Sequence, residues 1–132
     1  MDARPKILAV DDDRLIRLEL RLLLGREGFD VDTAATRTEA RDFLRARHYD
    51  LVLTDLDLPD TNGLEVLRDV KRFDPTTRVI LLTGSSTMIT SGEAQAAGAQ
   101  LLLLKPFGTK ELVDSVRRAL PMGLMRRGPG TA

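Results

Sequence analysis

The sequence predicts an α/β protein: one parallel sheet, doubly wound, with helices on both faces. Three observations carry that expectation. Five short apolar runs alternate with five amphipathic segments along the chain, the β-then-α order that builds parallel sheets. The runs are dense in Val, Ile and Leu, as strands buried on both faces are. Acidic, hydroxyl and basic residues gather where the runs end, and an open parallel sheet binds its ligands at those strand ends.

Each element has its own signal. KILAV (6–10) is a short β-capable run that stops on Asp11, Asp12 and Asp13. Residues 14–28 repeat apolar side chains at helical spacing, with Asp13 as N-cap and Gly28 as helix end. FDVDTA (29–34) alternates like a strand, and 36–48 reads as a helix opened by Thr36 or Thr38. DLVLT (50–54) is the third strand; the turn PDTNG leads into a helix over 64–74. RVILLT (78–83) is the fourth strand and 86–98 the fourth helix. AQLLLL (99–104) fits core helix on periodicity alone, but its length between a glycine and a proline favours a strand. A helix over 109–120 closes the set, and the Gly- and Pro-bearing 121–132 reads as a mobile tail or linker stub.

Composition narrows the function. The chain has 132 residues, enough for one domain with its own core. Its 20 basic and 20 acidic side chains cancel, so it carries no electrostatic footprint for nucleic acid. It has no cysteine, which excludes disulfides, thiolate metal sites and cysteine nucleophiles. No segment approaches the roughly 18 apolar residues that span a bilayer, and the first residues lack a signal-peptide core. A cytoplasmic protein without a membrane partner is expected.

The strand ends carry the chemistry. With the flavodoxin-like strand order 2-1-3-4-5, strands one and three are neighbours, so Asp11, Asp12 and Asp55 share a pocket. At an effective dielectric near 20, each close pair of carboxylates costs on the order of 4 kcal/mol. A raised pKa, the Lys105 ammonium or a divalent cation must compensate. An all-oxygen cluster suits a hard ion such as Mg2+. A carboxylate beside such an ion, a lysine and the Thr83 hydroxyl is equipped to accept a phosphoryl group.

These residues, Asp11 and Asp12, Asp55 followed by LDLP, Gly63, Thr83 followed by Gly84, and KPF at 105–107, resemble the receiver domain of bacterial two-component response regulators (CheY-like). The resemblance covers residues 4–120. It implies a phosphorylation-activated switch in which Asp55 takes a phosphoryl group from a sensor histidine kinase or a histidine phosphotransfer protein. Asp12, Asp55 and the main-chain carbonyl of Asp57 would ligate Mg2+, with Asp11 acting largely through water. Thr83 and Lys105 would sense the phosphate, and the Lys105–Pro106 bond would be cis. It implies a regulatory phosphoacceptor that assists its own phosphorylation and dephosphorylation rather than an enzyme. An output partner or domain, and a homodimer formed on phosphorylation, complete the implied partners.

The chain departs from that pattern in places. The family usually has Tyr or Phe three residues before the lysine as a switch residue; here it is Leu102. Residues 86–98 hold four Ser/Thr residues, Ile89 and Gly92, so the fourth helix should be short, late-starting or frayed. On the first helix, Ile16, Leu20, Leu23 and Leu24 form a core stripe, and Leu15, Leu18 and Leu22 a second apolar line. That second line is either part of a broad buried face or a partner surface. His48 reads as a solvated residue at a helix end. The Asp-x-Asp at 55–57 also resembles haloacid dehalogenase-like phosphatases, which place it on their first strand. The rival from another class is a receiver-like binding module that works without phosphorylation.

Overall fold

The computed structural model describes residues 4–84 and 89–121. The elements run β1 (Lys6–Val10), α1 (Arg14–Arg26), β2 (Asp30–Ala34), α2 (Arg37–Ala46), β3 (Leu51–Asp55), α3 (Gly63–Phe73), β4 (Arg78–Thr83), α4 (Ser91–Ala96), β5 (Leu101–Leu104) and α5 (Thr109–Ala119). All neighbouring strands pair in parallel, in the order β2-β1-β3-β4-β5, as the sequence predicts.

Alternation of side chains along the strands divides the core in two. Ile7, Leu51, Leu53, Ile80 and Leu82 face α1 and α5, packing on Leu20, Leu24, Leu112 and Val116. Leu8, Val10, Val52, Val79 and Leu81 face the other way, onto Ala40, Leu44, Val66, Leu67 and Val70, with Ala94 of α4 in the same cluster. Both faces of the central strands are covered, which explains why their sequences carry no polar face.

Capping chemistry sets most boundaries. Asp13 accepts from the Leu15 amide, Thr36 from Glu39, and Asn62 from Leu64 and Glu65. α1 ends at Arg26, and Gly28 takes φ +93° in the turn that follows. α2 ends at Ala46, two residues before its expected end, because the backbone turns extended at Arg47. β3 runs one residue further than expected and includes Asp55. α4 begins only at Ser91, capped by Thr90, and spans six residues; the expected residues 86–88 and the tail from 122 lie outside those described. β5 starts two residues late, since Ala99 still bonds back to Ala94 after Gly98 at φ +109°.

Candidate functional site

The strand register brings the candidate residues to one level. Val10 pairs with Thr54, Asp55 with Leu82, and Thr83 with Leu104. Asp11 and Asp55 therefore emerge side by side, and the long stem of Lys105 crosses above β4 to reach both. Its ammonium lies 3.0 Å from Asp55 Oδ2 and 2.7 Å from Asp11 Oδ2. One oxygen from each of Asp11, Asp12 and Asp55 falls within 4.8 Å of the others.

Burial differs sharply among the three. Asp11 is inaccessible, Asp55 is 4% exposed, and Asp12 is open to solvent. Asp11 Oδ1 accepts from the Asp13 amide at 2.9 Å, and Arg17 Nη1 donates to the Asp11 carbonyl at 2.8 Å. Asp11 Oδ2 has the Lys105 charge 2.7 Å away, but among the described residues this buried oxygen has no hydrogen-bond partner of good geometry. Charge attraction depends on distance more than on angle, so the ion pair stands while the acceptor remains unfilled. An oxygen-only cluster with an orphaned buried acceptor fits a hard cation.

The electrostatics follow from this crowding. Burial pushes the Asp55 carboxyl up; the Lys105 hydrogen bond opposes that, and the Asp11 charge adds to it. Burial alone would lower the Lys105 ammonium, but its contacts with Asp11 and Asp55 outweigh burial and hold it above its ordinary value. One ammonium thus serves two carboxylates.

The other candidates surround it. The Asp57 amide donates to Asp55 Oδ1 at 3.2 Å, and Asp57 bridges to Asn62 across the β3–α3 loop. Thr83 is buried, with its hydroxyl donating to the Gly84 carbonyl at 3.1 Å. The Lys105–Pro106 peptide is cis. Leu102 is half-buried against the cluster on the α2–α3 side. Gly63 is required at its position, because a Cβ there would stand 2.5 Å from the Asp55 carbonyl oxygen. On α1, Leu15, Leu18 and Leu22 are 74%, 50% and 54% exposed, so the broad buried face does not form. His48 is not simply solvated: its ring nitrogens lie 3.3 Å from Asp50 and 2.9 Å from Asp74, at the far end of the sheet.

Comparison with known proteins completes the picture. Residues 7–117 match the model of the response regulator receiver domain. The chain belongs to the response regulator receiver family. As a receiver it is a phosphorylation-activated signalling switch with a regulatory role. It is 40% identical over 114 residues to the DNA-binding transcriptional regulator NtrC of Azospirillum brasilense, covering 86% of this chain and 24% of that protein. It is 35% identical over 117 residues to the sporulation initiation phosphotransferase F of Bacillus subtilis, covering 89% and 94%. The structure of the response regulator TrrA of Thermotoga maritima in complex with Mg2+-BeF superposes with a TM-score of 0.78 at 34% identity, covering 88% of this chain and 99% of that one. The chain thus spans about a quarter of the NtrC relative and nearly all of the phosphotransferase.

Two contacts at this end of the fold were not foreseen from the sequence. Asp60 in the β3–α3 loop meets the start of α2, and Arg37 forks onto the buried Asp69 of α3. The available signal for the second was a charge inside the apolar stripe formed by Val66, Leu67 and Val70.

Proposed function

We propose that this receiver accepts a phosphoryl group on Asp55 from the phosphohistidine of a sensor histidine kinase or a histidine phosphotransfer protein in the cytoplasm. The observation that carries the reading is the cluster of buried Asp11 and Asp55 with exposed Asp12, and Lys105 on the two buried carboxylates. Asp12, Asp55 and the Asp57 carbonyl would hold Mg2+, with Asp11 acting through water; when bound, the ion would neutralise phosphoryl oxygens. The TrrA relative carries Mg2+-BeF in its structure, which supports this assignment.

The side chains divide the work. The Asp55 carboxylate forms its bond to phosphorus as the bond to the donor's ring nitrogen breaks. Lys105, already beside Asp55 Oδ2, offsets charge on the transferred group without reorganising. The Thr83 hydroxyl exchanges its bond to the Gly84 carbonyl for a phosphate oxygen. Leu102 then repacks at the position where relatives carry a ring, and offers no hydroxyl to a partner. The exposed Leu15, Leu18 and Leu22 of α1 form the surface for the donor. The output partner engages the phosphorylated form, and a homodimer is a further product.

The test is intact mass spectrometry after acetyl phosphate treatment, with and without Mg2+, beside Asp55→Asn. A Mg2+-dependent gain of one phosphoryl group that the variant lacks is expected. No gain where another receiver is labelled would favour a binding module that works without phosphate.

A further inference from the structure

The β3–α3 loop is braced from outside the pocket. Asp60 Oδ1 accepts the Arg37 amide at 3.1 Å, and Oδ2 lies 3.4 Å from both the amide and the hydroxyl of Thr38. These are the first two amides of α2, which intrahelical bonds leave unmet. The third, Glu39, is met by Thr36 at 3.1 Å, and Glu39 itself reaches back to the Ala35 amide at 2.9 Å. Asp60 therefore adds an anion at the positive end of α2, and the Arg37 amide holds its carboxyl below the ordinary range.

The brace continues into α3. Arg37 donates from Nε and Nη2 to Asp69 at 2.7 and 3.1 Å, and Asp69 is 3% exposed. The loop between these anchors is closed on itself: Leu58 bonds to Thr61 at 3.2 Å, Asp57 bridges to Asn62, and the Gly63 amide donates to Leu56 at 2.9 Å. Asp60 therefore stands three residues from Asp57 within one closed loop.

We propose that Asp60 is a positioning residue for the cation site: bound across the start of α2, it fixes the loop that presents the Asp57 carbonyl. The inference rests on the reading of that carbonyl as a Mg2+ ligand. Outer partners of metal ligands commonly contribute about 10- to 100-fold in affinity, and an indirect brace of this kind lies at the lower edge.

Calorimetric titration of the full chain with Mg2+ tests it. Asp60→Ala is expected to bind roughly tenfold more weakly, and Asp60→Asn, which keeps one acceptor oxygen, to fall between. Thr36→Ala removes a different cap of the same helix and is expected to lower the melting temperature while leaving Mg2+ affinity unchanged. Unchanged affinity in Asp60→Ala overturns the proposal, as does an equal loss in Thr36→Ala, which would signal general loosening. A loss that disappears in roughly 0.5 M KCl, where exposed charges are screened, also overturns it, since that marks a distant charge and not a brace. Wild-type protein that binds no Mg2+ overturns the cation reading itself.

Discussion

The two ends of the sheet hold their carboxylates in opposite ways. At the amino end, acidic side chains have matched partners: Tyr49 donates to Asp32 at 2.6 Å, Arg47 pairs with Asp32 at 3.0 Å, and Asp74 takes the Thr76 hydroxyl at 2.6 Å as well as His48. At the carboxyl end, Asp11 and Asp55 share one ammonium with Asp12 close by, and among the described residues Asp11 Oδ2 finds no hydrogen bond. The first arrangement ties elements together. The second holds unfavourable charge in reserve, which a cation and a phosphoryl group can relieve. A carboxylate should therefore be stabilising at one end and destabilising at the other.

The largest effect should come from removing the ammonium that pairs with both buried carboxylates of the carboxyl end. Lys105→Met leaves Asp11 and Asp55 buried beside each other, and the loss of stability should be about 3 kcal/mol. Urea unfolding would measure it, and added Mg2+ should recover part of it. No loss would show that the Lys105 contacts do not stabilise the fold.

Next comes Tyr49→Phe at the amino end. The variant strips the hydroxyl from half-buried Asp32, at a cost of about 1.5 kcal/mol for a hydrogen bond to a charged group, read from the same unfolding curves. A neutral result would show that Arg47 alone satisfies that carboxylate.

The sign should reverse for Asp55→Asn. A carboxyl raised on folding is harder to ionise in the native state than in the unfolded chain, so its ionisation destabilises the fold at neutral pH, and the penalty falls as pH drops towards the raised value. The amide variant should melt a few degrees higher at pH 7, where each kcal/mol is worth about 4 °C, and the gain should shrink on acidification. A lower melting temperature would make the Asp55–Lys105 contact worth more than the crowding.

The smallest effect belongs to Asp74. The Thr76 hydroxyl and amide hold its carboxyl below the ordinary range, so its contribution is present above the unfolded value and lost as pH falls through the folded one. Below roughly pH 4, Asp74→Asn should flatten the melting-temperature profile slightly; an unchanged slope would remove Asp74 from the set of stabilising carboxylates.

The sequence by itself determined the strands, their order along the chain and the residues at their ends. Apolar runs stop where a polar side chain begins, and that information is local, so Asp11, Asp55, Thr83 and Lys105 were legible as one constellation once the strand order was assumed. The weakness of the fourth helix was legible for the same reason: helix propensity and capping act over a few neighbours.

Only the tertiary structure decided who meets whom across elements. The exposure of Leu15, Leu18 and Leu22 depends on the rotation of α1 over the sheet, which helical spacing leaves open between two adjacent apolar lines. The Asp60 clasp on α2 joins residues 23 apart, and the Arg37–Asp69 fork joins residues 32 apart. His48 finds Asp74 because two helices end at the same level. A charge in sequence specifies a need for a partner; loop closure and packing choose the partner, because several groups of the right sign lie within reach of each long side chain.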